Sequence, residues 1–397
     1  MLAGCGGGTT PLEPATPLTE TAPASPPSST AAAPTSTWPE ATRSPWPAPP
    51  LDERRSVLTS ACGSADGALE RVAAKLASDR LRGLGPPDAD RASALLRSHG
   101  EPHVRPRVLA ASGRGVVDDE AVRARLVASR RPITRCGVAF ARPAVGGDGN
   151  ELLVVVAVDA LADLEPLPAR ARTGQWLSFD AGLHVPASSA KLVVLGPRGL
   201  PRTVPTTIDR TTGRVRARFA LDRPGPFTVQ LVADLAGGPQ PLLEARVFAD
   251  VEPTADDSPP PAPGEGAASG DDDALTLARM TAALRASESL SPLVRDERLD
   301  MLALAHAERM REARTIAHDL GDGDLALRFE SAGLAAKAVG ENVARARSVT
   351  LAHRALHASP SHRMNLLHAE HTHAGFAVVT DDSGQVYACE VFASGLR

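Results

Sequence analysis

His318-Asp319-Leu320-Gly321-Asp322-Gly323, Arg328, Gly340-Glu341-Asn342-Val343-Ala344, Ser359-Pro360-Ser361-His362-Arg363-Met364-Asn365 and Ala374-Gly375-Phe376 are the segments whose reading decides the fold. Two histidines and a glutamate stand in separate stretches, each fenced by glycine, proline or a helix-capping residue. Groups gathered from such segments onto a rigid frame are how polar pockets are built. Upstream, Asp296 is placed to cap a helix whose inner stripe carries Leu299, Leu302, Ala303, His306 and Met310. His306 on that stripe reads as a satisfied core histidine and stays outside the site. Ser348 can cap a further helix through Val349, Ala352 and Leu356, stopped at Ser359-Pro360. Two strand patterns flank Asp381-Asp382-Ser383-Gly384, a hairpin signal. Gly340 and Pro360 are expected to fix turns, with Glu341 in a loop and His362 opening a short turn.

In this combination the segments resemble the CAP superfamily, the fold of cysteine-rich secretory proteins, antigen 5 and pathogenesis-related 1 proteins. The cysteine-poor, bacterial YkwD-like branch is the most similar. The resemblance runs from about Leu275 to the C-terminus. It rests on His306-Ala307 with Met310, on His318, on Gly340-Glu341-Asn342, on Ser359-Pro360-x-His362-Arg363 and on a closing Val386-Tyr387…Val391-Phe392-Ala393 strand. It implies an α-β-α sandwich over residues 274–397 and one cavity lined by His318, Glu341 and His362. It further implies that His318 and His362 are candidate ligands of a divalent metal such as zinc, since neutral imidazoles suit that ion. Glu341 is then a third ligand, an orienting group or a candidate catalytic base. Arg328, Asn342 and Ser359 read as residues that fix loops by hydrogen bonds. The sequence departs from the pattern at Leu356, where a tryptophan is common. No second glutamate is assigned, Glu330 being a distant candidate. Arg363 opposes a cation beside His362 unless it turns away or pairs with an acid.

A chain of 397 residues exceeds one small core and suggests two or three domains. Its net charge of −4 gives no basic footprint, so no nucleic-acid partner is expected. Eight of the eleven histidines follow residue 300, which places the polar chemistry in the C-terminal third. Four cysteines are too few for a disulfide framework. Cys62 and Cys136 are free to pair in an oxidising compartment, and Cys389 reads as a buried thiol. Leu2-Ala3-Gly4-Cys5 matches a bacterial lipobox, so Cys5 is expected to be lipidated and to anchor the protein to a membrane. A start codon placed too late accounts for the missing basic and apolar segment before it.

Residues 6–50 are rich in Pro, Thr, Ser and Ala and read as a disordered, semi-extended stalk, with no role for Trp38 or Trp46. Residues 51–160 read as an α+β domain. Pieces of it lie beside pieces of the C-terminal region: Leu95–Gly100 beside Leu327–Gly333, and Gly137–Phe140 beside Gly375–Val378. Either this is a degenerate CAP-like copy without counterparts of His318, Glu341 and His362, or it is an unrelated helical domain. Residues 161–252 carry short strands of period two, with Val215, Ala217, Phe219 and Leu221 on one face, and read as an all-β, immunoglobulin-like sandwich. Asp163, Asp180 and His184 there are expected to be solvated. Residues 253–273 read as a flexible acidic linker.

Three function classes follow. A binding module would hold an extracellular or envelope ligand (lipid, glycan or peptide) in the CAP cavity. A metal-dependent hydrolase would use Glu341 as base. A structural envelope lipoprotein would need neither. No serine or cysteine nucleophile stands beside a base, so the binding module is preferred, in an extracytoplasmic, lipid-anchored or secreted protein.

Overall fold

Aspartates start every helix of the first region. The computed structural model describes residues 38–114, 117–142, 150–236, 238–254, 259–270 and 272–397; Cys5 and the proposed stalk up to residue 37 lie outside them. After a short strand β1 (Ala41–Thr42) come α1 (Glu53–Cys62), β2 (Ser64–Ala65), α2 (Gly67–Leu81), α3 (Ala89–Ser98), β3 (Arg107–Arg114), α4 (Asp119–Ser129), β4 (Thr134–Ala141) and β5 (Asn150–Asp159). Asp52, Asp66, Asp88 and Asp118 each accept a backbone N–H at the start of a helix, which satisfies donors the helix itself leaves unpaired. The sheet runs β2-β4-β5-β3. Its central strand β5 is buried on both sides. Leu153 and Val155 face α1 and α4, while Val154 and Val156 face α2 and α3. A pairing left open by the sequence is formed: Cys62 of α1 is disulfide-bonded to Cys136 of β4.

Next come β6 (Ala162–Leu164), β7 (Leu167–Pro168), β8 (Arg170–Ala171), β9 (Trp176–Leu183), β10 (Ser189–Leu195), β11 (Arg202–Val204), β12 (Thr206–Asp209), β13 (Arg214–Ala220), β14 (Gly225–Leu235) and β15 (Gly238–Ala249). Apart from β7, which pairs with β1, they form two sheets, β11-β10-β14-β15-β8 and β12-β13-β9-β6. Phe179, Val215 and Phe219 of one sheet share a core with Leu192, Phe227 and Val247 of the other. Expectations for two aspartates and two tryptophans are corrected here, while His184 is exposed, as expected. Asp163 and Asp180 are partly buried: Asp163 is held by Arg135 at 2.8 Å and by His184 at 2.9 Å, and Asp180 pairs with Arg214 at 2.6 Å, because cross-strand and inter-region neighbours reach them. Trp38 is buried, stacks edge-on to Phe248 at 4.9 Å and donates to the Thr254 carbonyl at 2.7 Å. Trp46 donates to the Gly100 carbonyl at 2.9 Å. Residues 38–50 therefore belong to the packed body, pinned by two aromatic rings that the Pro-rich composition outweighed.

The C-terminal region comprises α5 (Asp273–Ser287), β16 (Val294–Arg295), α6 (Glu297–Ala313), α7 (Leu325–Ser331), β17 (Ala338–Ala346), α8 (Val349–Ala358), α9 (Pro360–Leu366), β18 (His373–Thr380) and β19 (Val386–Ser394). Its sheet order is β16-β18-β19-β17. Helices α5 and α8 cover one face, and α6 and α7 the other, giving three layers. Apart from α9, the element order repeats that of the first region. Both sheets also begin with a short parallel strand, β2 on β4 and β16 on β18. A Cβ on Gly375 would lie 2.1 Å from the Leu299 backbone of α6, and one on Gly137 2.0 Å from the Leu69 backbone of α2. In both places the helix rides directly on a glycine of the strand. By register, Val391 pairs with Glu341 and Gly375, while Val156 pairs with Val108 and Gly137. Val108, Leu109 and Val155 thus stand where the C-terminal sheet has Glu341, Asn342 and Glu390.

The flexible-linker expectation is corrected for residues 259–268. Ala262 is buried, and Glu265 holds Arg354 at 2.6 Å. Gly264 takes φ +94° where a Cβ would sit 2.2 Å from the Met280 carbonyl oxygen, so glycine is needed there. The segment packs on α5 and α8, and the described residues form one compact unit.

Candidate functional site

Asp319 closes the turn after α6 by accepting from the amides of Gly321 at 2.8 Å and Gly323 at 3.1 Å. That fixes His318, whose Nδ1 bonds Glu341 Oε1 at 2.8 Å. Glu341 lies inside β17 and not in a loop, because Gly340 is a strand residue. Space at 340 is tight: a Cβ there would come within 3.2 Å of His371 Nε2 and 3.3 Å of Asn365, so those side chains would have to shift by a few tenths of an ångström. The second Glu341 oxygen accepts from Arg328 at 2.7 Å, and the same Arg328 nitrogen donates to the His318 carbonyl at 3.2 Å. Burial alone would raise the Glu341 carboxyl. The His318 hydrogen bond and the Arg328 charge outweigh it and hold the group below its ordinary value. Beneath them His306 is fully buried and satisfied, with Nε2 on the Ala317 carbonyl at 2.8 Å and Nδ1 on Asp322 at 3.0 Å. Asp322 is the second acid of this network, 3.9 Å from Arg328. Sequence reasoning missed it by looking for a glutamate, whereas Glu330 is exposed on α7. The buried Cys389 thiol lies 3.7 Å from Glu341 and is pushed up, first by burial and then by that carboxylate.

On the other side, Pro360 opens α9, and His362 is its third residue. The expected turn is thus a short helix, started by the fixed φ of the proline. His362 Nδ1 bonds Ser359 Oγ at 2.8 Å, and its carbonyl accepts from Asn342 at 3.2 Å. Burial, with His318 and the Arg105 charge adding, depresses the His362 imidazole to about 3. It is neutral at pH 7. Asn342 also donates to Glu390 at 3.0 Å, and Thr281 donates to the other Glu390 oxygen at 2.9 Å. Glu390 is fully buried, and burial pushes its carboxyl up to about 7. It too was missed, though a lone glutamate in the apolar run 386–393 was a visible signal. Arg363 turns away from His362 toward Glu288, at 3.6 Å.

His318 and His362 line one cavity of 190 Å³ with Ser359. Glu341 sits behind His318, outside the lining. Ile316, Ala317 and Val343 add to it from the C-terminal region, but much of the wall is foreign to that region: His103 and Arg105 come from the first region, Gln230 and Glu244 from the β-sandwich. Gln230 is buried, accepts from the Ser361 amide of α9 at 3.1 Å and donates to Glu244 at 3.0 Å. The donors do not complete a zinc centre. Both Glu341 oxygens are committed, and among the described residues no three His, Cys, Asp or Glu are grouped to hold a metal ion.

The Cysteine-rich secretory protein family (CAP) model matches residues 278–392. No curated relative matches the chain. Among solved structures, an outer surface protein of Borrelia burgdorferi is 22% identical, with 31% of this chain and 92% of that one covered and a TM-score of 0.29. An extracellular SCP-domain protein of Bacillus anthracis is 15% identical, with coverage of 59% and 86% and a TM-score of 0.28. A cysteine-rich secretory protein of Staphylococcus aureus is 13% identical, with coverage of 59% and 83% and a TM-score of 0.27. The family match and its motif order, on a three-layer fold, identify residues 278–392 as a CAP domain.

Proposed function

We propose that this CAP domain, of the YkwD-like branch, is a binding module for an extracellular or envelope ligand, carried outside the cytoplasm on a Cys5 lipid anchor. The observation that carries the reading is the cavity: two imidazoles, each fixed through Nδ1, share it with side chains from both preceding regions. The hydrolase reading is weaker because Glu341, its base, is held by Arg328 and lies outside the lining. The repeated element order supports residues 51–160 as a degenerate CAP-like domain that walls the cavity and offers none of its own. Residues 161–252 serve as an immunoglobulin-like spacer that sets Gln230 against α9.

The test is a binding screen of the full chain on immobilised peptides, glycans and lipids, repeated with His318→Ala and His362→Ala. A hit lost at least tenfold in both variants is the expected result. Hits unchanged in both would refute a binding role for the cavity. Hydrolysis of an arrayed compound by the wild type, abolished in Glu341→Gln, would put the hydrolase in its place.

A further inference from the structure

The cavity wall has a charge that the CAP residues alone do not supply. Arg105 enters it from the first region with φ +55°, a left-handed conformation that an arginine adopts only when its surroundings hold it there. The surroundings are the β-sandwich: His103 bridges to Leu243, and Arg105 Nη2 donates to Gln240 at 3.2 Å and to the Pro241 carbonyl at 3.4 Å. Those bonds use one guanidinium nitrogen, so among the described residues the others remain to donate. The carboxylate on this wall, Glu244, is already engaged by Gln230 at 3.0 Å and by Arg97 at 4.0 Å. Arg105, itself exposed, therefore brings a positive charge to the cavity that the imidazoles line, and that charge acts on His362.

The histidines set the second requirement. Glu341 is ionised, so its partner atom, His318 Nδ1, carries the ring proton. With Nδ1 taken by Glu341, Nε2 is the ring nitrogen left for the cavity, and in the Nδ1–H tautomer it is an acceptor. Apolar side chains of Pro102, Pro241, Ile316 and Val343 fill out the lining. At 190 Å³ the space is below the roughly 300–1,000 Å³ of pockets that enclose whole small molecules, so it takes one residue-sized end.

We infer that the cavity binds an N-acylated amino-acid carboxylate, as a peptide C-terminus or a free N-acyl amino acid, with its carboxylate on Arg105, its amide N–H on His318 Nε2 and an apolar side chain on the Pro/Ile/Val wall. This names the ligand class within the binding reading and rests on it. Arg105 is the specificity-determining residue, because a fixed guanidinium prefers a carboxylate to a neutral amide.

Calorimetric titration of the full chain with N-acetyl-leucine, N-acetyl-leucinamide and a peptide ending in leucine tests it. The acid and the peptide are expected to bind at least tenfold more tightly than the amide. Arg105→Asn should remove that preference with an unchanged melting temperature, since asparagine tolerates a left-handed backbone. Tighter binding of the peptide than of N-acetyl-leucine would identify a chain end as the source. Equal binding of acid and amide, or an unaltered Arg105→Asn variant, would overturn the inference. If neither acid nor peptide binds while another ligand depends on His318 and His362, the binding reading survives and the carboxylate inference falls. If nothing depends on those histidines, both fall.

Discussion

Glu390 and Glu341 lie on opposite faces of the same sheet and have opposite electrostatics. Glu341 meets Arg328 and stays charged. Among the described residues Glu390 bonds the neutral Asn342 and Thr281, so burial dominates and pushes it up to about 7. A raised carboxyl favours folding while it is protonated. Its contribution is complete below the unfolded value near 4.5, is lost as pH rises through about 7 and is flat above that. Glu390→Gln should therefore match the wild type near pH 4.5 and be more stable above pH 7, by at most about 3 kcal/mol. Urea melts at pH 5 and pH 8 measure the gap, and a gap equal at both pH values would show that Glu390 does not titrate in this way. At this scale His306 was legible, because an apolar stripe at helical spacing specifies a buried residue. Asp322 and Glu390 were not, because their partners lie in other segments.

At the scale of the element, the first turn of α6 lies on β18 at Gly375. Any side chain there meets backbone, which has no rotamer to yield. Gly375→Ala should cost about 3 kcal/mol or more, the upper range for overpacking. Gly266→Ala, with nothing within 4 Å of its added carbon, should cost little. Thermal melts of the two variants compare them; similar melting temperatures would mean that the helix can lift from the strand cheaply. Gly137 makes the same approach under α2, and Gly137→Ala should behave alike. Element types were readable where caps and periodicity agreed, as at Asp296 and Ser348. Glu341 was misplaced in a loop because glycine is ambiguous between a turn and a close approach of backbone.

For the whole molecule, the boundary before the CAP domain lies earlier than composition suggests. The sequence reading starts the sandwich at residue 274, yet Gly264 and Glu265 dock on α5 and α8. A fragment of residues 259–397 is predicted to melt roughly 5 °C or more above one of residues 274–397, since each kcal/mol shifts a domain of this size by several degrees. Equal melting temperatures would make the docked segment thermodynamically idle.

The sequence by itself determined the CAP motifs, the capped helices and the alternating strands, because these are local patterns in which a residue and its near neighbours carry the information. It brought His318, Glu341 and His362 under suspicion but not into their relation, with Glu341 behind one imidazole and outside the lining. Only the tertiary structure decided that the cavity has walls from three regions, that Arg105 and Gln230 belong to it, and that Trp38 and Trp46 are anchors. The reason is physical: a contact between residues more than a hundred positions apart leaves no periodicity in the chain, and it exists only once packing has brought the two surfaces together.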